Sequence, residues 1–119
     1  MKTVTLYRPV GQKELELIAA SGWKEFPPRL PDQPIFYPVL NREYAEQIAR
    51  DWNTHDERSG FIGHVLGFDI DAEYLNRFQL QKVGGREHLE YWIPVEQLAE
   101  FNCHMVGLIR KIATFIRKS

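Results

Sequence analysis

One cysteine stands among 119 residues, Cys103, so the chain cannot close an internal disulfide. That fits a reducing compartment, and the cytoplasm is the expected location. No apolar run approaches the roughly 20 residues that a membrane-spanning helix needs. The opening MKTVTLYRPV lacks the uninterrupted apolar core and small-residue cleavage site of an export signal. Neither sign of charge dominates: 15 Lys and Arg face 16 Asp and Glu, for a formal net charge of -1. Composition therefore predicts neither a general nucleic-acid binder nor an anionic-membrane binder. Basic residues do gather late in the chain (Arg110, Lys111, Arg117, Lys118), where a solvated strand edge and tail is the plain reading. There is no Gly-rich phosphate loop, no cysteine pair for zinc and no Gly-x-Ser-x-Gly elbow. His55, His64, His88 and His104 share no metal-ligand spacing, so no metal is expected. Cys103 and His104 are neighbours, and on a strand neighbours point to opposite faces, which argues against a Cys-His nucleophile.

What is present suits one domain, 1–119, with one core. At 44% hydrophobic and 26% charged, the chain has ordinary soluble composition. Its best specified stretch is Pro34 to Trp52. Ile35, Phe36, Tyr37, Val39 and Leu40 form a short apolar run broken by prolines, which reads as a strand. Pro38 removes a ladder donor and places that strand at a sheet edge or bulge. Asn41 is an N-cap, and Glu43 sits in the first turn of the helix it starts. Tyr44, Ala45, Ile48, Ala49 and Trp52 follow as one apolar stripe, so Tyr44 and Trp52 are expected in the core.

Around that unit the chain alternates strands and helices. Thr3 to Arg8 is a strand ended by Pro9, with Arg8 at its tip. Gln12 to Ala20 is a helix with Leu15, Ile18 and Ala19 inward and Lys13, Glu14 and Glu16 outward; Gly22 terminates it. Trp23 to Gln33 holds three prolines and is an extended loop anchored by Trp23, Phe26 and Leu30. Asn53 to Gly60 is a turn. Phe61 to Ile70 is a strand in which Gly63 and Gly67 share a face, marking a close approach or a bulge. Asp71 to Asn76 is a turn or short helix with Tyr74 and Leu75 inward. A strand around Phe78 to Val83 and another at His88 to Ile93 form a hairpin through Gly84-Gly85. Pro94 starts a short helix, Val95 to Phe101. Met105 to Ile116 is the last strand, with Val106, Leu108, Ile109, Ile112 and Phe115 as its apolar members. About six strands and three helices are expected.

Three pieces together resemble the ADP-ribosyltransferase fold. Leu6-Tyr7-Arg8 on the first strand, followed by a glycine and a helix, resembles the motif in which a histidine or arginine grips NAD. Phe36-Tyr37 before a helix resembles the unit whose aromatic stacks on nicotinamide. Glu90-Tyr91-Trp92-Ile93-Pro94 resembles the late strand that carries the catalytic glutamate. The chain is also similar to small bacterial proteins linked by description to ADP-ribosylation and crystallin J1. That similarity covers LYRPVG, FPPRLP, PIFYPVLN, the Ala-Arg-Asp-Trp-Asn run at 49 to 53, EYWIP, and FN with VG near the end. The glycohydrolases that crystallin J1 resembles are larger, helical and use acidic metal clusters, which this chain does not have.

The resemblance implies an α+β fold of two small, mostly antiparallel sheets forming a cleft with about three helices. It implies NAD as a substrate held by Tyr7, Arg8 and Tyr37, with Glu90 as the catalytic residue; Arg29 in the proline-rich loop is a candidate second phosphate contact. The chain then transfers ADP-ribose to an acceptor, such as a protein target, or hydrolyses NAD. The same fold also serves as a nucleotide- or protein-binding module without chemistry, or as a toxin-antitoxin component. The chain departs from the family pattern in three places. Arginine stands where many members have histidine, Tyr37-Pro38 replaces a serine-rich motif, and His88 stands where arginine-directed enzymes carry a second acid. In chemical terms, a guanidinium forks onto a pyrophosphate, an aromatic ring lies flat on nicotinamide, and a carboxylate stabilises a ribose cation. The plainer readings are that Arg8 is an exposed strand end, Arg29 a surface loop charge, Tyr37 a core residue and Glu90 the wet side of a strand.

Overall fold

The computed structural model describes residues 1–29, 32–84 and 88–117. Leu30, Gly85 and Lys118, read above as an anchor, a turn residue and a tail charge, lie outside the described residues. The early elements are β1 (Thr3–Val10), α1 (Gln12–Ala20), β2 (Ile35–Phe36) and α2 (Arg42–Asp51), then two 3-10 turns (Asn53–His55, Glu57–Ser59). There follow β3 (Ile62–Asp71), α3 (Ala72–Leu75), β4 (Leu80–Lys82), β5 (Leu89–Tyr91) and β6 (Ile93–Pro94). A 3-10 turn (Val95–Gln97), α4 (Leu98–Cys103) and β7 (Met105–Ile116) complete the described chain. This is an α+β arrangement with four α-helices among the described residues, one more than expected. Cys103 and His104 lie at the end of α4 rather than on a strand, so no strand pleat sets their side chains on opposite faces. No helix among the described residues is long and apolar enough to cross a membrane.

The main sheet is antiparallel in the order β1-β3-β7. β1 continues through Pro9 to Val10, two residues past the expected stop. The reason is the direction of the amides. Tyr7 exchanges its N–H and C=O with Val39, on the side away from β3. Pro9, two residues on, turns its nitrogen to that same outer side, so its missing donor leaves the β3 ladder intact.

The apolar run at 35–40 is not one strand. Ile35 and Phe36 pair with Pro94 and Ile93. After Tyr37 and Pro38, Val39 bridges Tyr7 on one side and Glu90 on the other. Tyr91 N–H donates to the Pro38 carbonyl at 2.9 Å, and Leu40 N–H donates to the Leu89 carbonyl at 3.0 Å. Residues 38–40 therefore lie between β1 and β5, and the run is interrupted at Tyr37-Pro38 between its two pairings. It ties the main sheet to the β4-β5 hairpin, whose antiparallel pairing is as expected.

Asn41 caps α2, its Oδ1 accepting from Glu43 N–H at 2.8 Å and Tyr44 N–H at 3.3 Å. Ala45 and Ala49 are the buried members of the helix's stripe. They allow α2 to lie so close to β3 that a Cβ on Gly63 would sit 2.8 Å from the Ala49 Cα. Trp52 is 65% exposed, which corrects its assignment to the core. Tyr44 is half-buried. In α1, Leu15 and Ile18 face the core, but Ala19 is exposed and Glu14 turns toward β1.

The main core gathers Phe26, Phe36, Phe68 and Phe101, with the rings of Phe26-Phe36 and Phe26-Phe68 both 4.9 Å apart. Asn102 grips the backbone of Phe26 with two bonds, 2.9 and 3.0 Å, which pins the proline-rich loop to α4. In β7 the register with β3 shifts twice. Gly107 adopts φ +79° beside one shift, and Ile112 is the extra residue at the other. These bulges leave Val106 and Leu108 exposed, and Ile109 is the buried apolar residue of the strand.

Candidate functional site

A groove of about 780 Å³ runs between the end of β1, the start of α1, the proline-rich loop, Tyr37, the last turn of α2 and the β5 strand with Trp92. Its size is that of a small-molecule site. It is lined by four basic side chains (Arg8, Lys13, Arg29, Arg58) against three acidic ones (Glu14, Asp56, Glu90). Locally the balance is positive, although the chain as a whole carries -1.

Arg8, Arg29, Tyr37 and Glu90 all line this groove. Tyr7 does not. It is adjacent to Arg8 on a strand, so the two point to opposite faces, and Tyr7 packs against Val39, Ala45, Ala49 and Val65. The Val39 bridge explains how residues from distant parts of the chain meet. It holds Tyr7, the neighbour of Arg8, on one side and Glu90 on the other.

Arg8 is buried, not an exposed strand end. Its Nε and Nη2 donate to the two carboxylate oxygens of Glu14 at 2.8 and 3.1 Å, and its guanidinium carbon lies 4.6 Å from the centroid of the Phe36 ring. Glu14 also faces Arg29, with Nη1 3.8 Å from its Oε1. One carboxylate thus serves two guanidiniums, that of buried Arg8 and that of partly buried Arg29. Burial lowers the pKa of Arg29, and the Arg8 charge lowers it further, against Glu14, Tyr37 and Asp32. The Nε of Arg29 is buried with no hydrogen-bond partner among the described residues. The N-terminus of α1 opens on the same wall at Gly11, with no side-chain cap. A cationic pair short of one counter-charge beside an uncapped helix N-terminus is suited to an anion.

Glu90 is also buried, not the wet side of a strand. Its Oε1 accepts from Trp92 Nε1 at 2.7 Å and its Oε2 from the Tyr44 hydroxyl at 3.3 Å. Burial, and then the Glu90 charge, raise the pKa of Tyr44 and keep it a donor. Two donors from different elements thus orient the carboxylate. Tyr37 is 40% exposed, not core, and meets Trp92 edge to face with ring centroids 6.3 Å apart. The far end of the groove carries Trp52, Asn53, Asp56 and Ser59. Ser59 Oγ donates to Asp56 Oδ2 at 2.7 Å and accepts from Asn53 Nδ2 at 2.9 Å.

Sequence reasoning missed Glu14, Tyr44 and Trp52 as groove or site-supporting residues. Helical spacing alone assigned Glu14 to solvent and Trp52 to the core. The signal for Trp52 was present: a strongly polar stretch, Asn53 to Gly60, follows it at once. Among the described residues no group of His, Cys, Asp and Glu is arranged to hold a metal ion. No family model, no curated protein and no solved structure matches the chain.

Proposed function

We propose that the groove binds NAD and that the chain is an ADP-ribosyltransferase-like domain that cleaves it, passing ADP-ribose to an acceptor or to water. The observation that carries this reading is the convergence of Arg8, Arg29, Tyr37 and Glu90 around one groove. The order of elements also supports it: Arg8 comes from the first strand, Tyr37 from the strand-helix unit and Glu90 from a late strand.

In this reading the pyrophosphate lies against Arg8, Arg29 and the N-terminus of α1. The N-glycosidic bond breaks, its electron pair leaves with nicotinamide, and positive charge builds on the ribose. The Glu90 carboxylate, oriented by Trp92 and Tyr44, stabilises that charge. Tyr37 supplies a flat ring for nicotinamide. Tyr7 takes no direct part, since it faces away. A second reading, a nucleotide-binding module without turnover, is favoured by one feature. The Trp92 indole lies at the groove wall and takes one oxygen of Glu90 for itself.

Nicotinamide release by the purified protein, beside its Glu90→Gln variant, tests the proposal, with NAD binding followed by calorimetry. The expected result is release that falls about a hundredfold or more in the variant while binding persists. Release retained in the variant rejects the role of Glu90. Binding without release selects the second reading. Neither binding nor release overturns NAD as the ligand.

A further inference from the structure

We infer that Glu14 is a specificity-determining residue of the groove: its carboxylate occupies the anion site formed by Arg8 and Arg29, and so favours the singly charged phosphates of a pyrophosphate diester over a doubly charged terminal phosphate. This deepens the preceding proposal and rests on its premise that the groove takes a nucleotide. Three observations carry it. Glu14 meets Arg8 at two points, 2.8 and 3.1 Å, and stands 3.8 Å from Arg29. It lies in the first turn of α1, whose N-cap Gly11 supplies no side-chain bond, so an acid there also answers the helix dipole. Its side chain is 23% exposed, against 8% for Arg8 and 11% for Arg29. All three line the groove, and the carboxylate is the most open of them.

The consequence follows from charge. Two guanidiniums and one carboxylate leave the site with one net positive charge. Asp32, another acid whose charge acts on Arg29, is paired with Arg58 at 3.6 Å. A phosphate that reaches the guanidiniums either settles beside the Glu14 carboxylate or displaces it. Both routes are opposed by that carboxylate, and the opposition grows with the charge on the phosphate. A phosphate inside a dinucleotide carries one negative charge, whereas a terminal phosphate carries close to two at neutral pH. Removing one like charge a few ångström away is worth about tenfold in affinity per unit of ligand charge. A neutral amide of the same shape at position 14 should therefore tighten binding of every phosphate, and of a terminal phosphate most.

The test is calorimetric titration of ADP-ribose, ADP and inorganic pyrophosphate into the wild type, Glu14→Gln and the double variant Arg8→Gln/Glu14→Gln, with melting temperatures recorded. The wild type is expected to prefer ADP-ribose to ADP. In Glu14→Gln both should tighten, ADP about tenfold more than ADP-ribose, so that the preference narrows or reverses. The double variant restores the net charge of the site and should restore the wild-type ratio. Its neutral pair also keeps the inference falsifiable if Glu14→Gln does not fold, since a ratio changed in the double variant would overturn it. A ratio that Glu14→Gln leaves unchanged, or affinity for both nucleotides that falls in the folded variant, would reduce Glu14 to a brace for the arginines. So would a wild type that prefers ADP. Nicotinamide release beside such a result would leave the preceding proposal standing. Pyrophosphate bound by Glu14→Gln, with no nucleotide bound by the wild type, would uphold the role of Glu14 and reject the groove as an NAD site. No binding by any of the three proteins would overturn both.

Discussion

Arg8 has two roles that one substitution will expose together. Its guanidinium holds Glu14 in a two-point ion pair and lies over Phe36. In the proposed site it also meets the pyrophosphate. Arg8→Ala should weaken NAD binding by about 1.5–3 kcal/mol, the scale of hydrogen bonds to a charged group. It should also lower stability by about 1–3 kcal/mol, because Glu14 loses its closest partner in a partly buried place. Calorimetry and chemical denaturation separate the two effects. Arg29→Ala gives the comparison. Its pairing with Glu14, at 3.8 Å, is looser, so affinity should fall with less loss of stability. Unchanged affinity in both variants would remove the anion role from this pair.

The contact of α2 with β3 belongs to the element scale. Two small residues, Ala45 and Ala49, face a strand that carries glycine at 63. There the helix backbone, not a side chain, fills the space above Gly63: an added Cβ would lie 2.8 Å from Ala49 Cα. Backbone cannot rotate aside, so Gly63→Ala should cost about 1–3 kcal/mol by overpacking. Gly67 on the same face is different. An added Cβ would meet the Ile112 Cδ1 at 2.6 Å, the end of a side chain that can turn away. Gly67→Ala should therefore cost less, and denaturant midpoints of the two variants check the order. Equal costs would show that α2 can shift off the sheet. The two glycines were visible in the sequence as a close approach or a bulge. Which one meets backbone was not, because that depends on where α2, an earlier part of the chain, comes to rest.

At the scale of the whole molecule, acid stability is set where the sheet and α1 close on each other. His64 lies on β3, 5% exposed, with Nε2 2.7 Å from Gln12 Oε1 on α1 and Nδ1 2.9 Å from Thr114 Oγ1 on β7. An amide oxygen accepts only, so Nε2 carries the hydrogen and Nδ1 accepts from the threonine. Burial lowers the pKa of His64 below 6.5, and the Lys111 charge lowers it further. Unfolding then takes up a proton, so His64 contributes stability above about pH 6.5 that is lost as the pH falls toward its lower folded value. Asp69 acts at lower pH. Its bonds from Thr5 and Arg110 hold its pKa below 3.8, so its contribution is present above that value and lost beneath it. His64→Gln keeps a donor and an acceptor but cannot titrate. Its melting temperature should fall less than that of the wild type between about pH 6.5 and 5, and parallel curves would reject the assignment.

The local pattern was enough to determine α1, the Asn41 cap, α2, the β4-β5 hairpin and the ends of β7. Each depends on residues within one or two turns of one another: a cap, a period, a glycine, a proline. The alternation of β1 also separated Tyr7 from Arg8, and read strictly it already kept Tyr7 out of any site built on Arg8. What only the tertiary structure decided is which faces are covered. Val39 sits between β1 and β5, so Glu90 became buried and Arg8 became a groove wall instead of a strand tip. Trp52, at the C-terminal end of α2, stayed 65% exposed although the helical period put it on the apolar stripe. Spacing along a chain gives the side on which a residue lies. The element that lies against that side comes from elsewhere in the sequence, and its arrival is a matter of long-range packing.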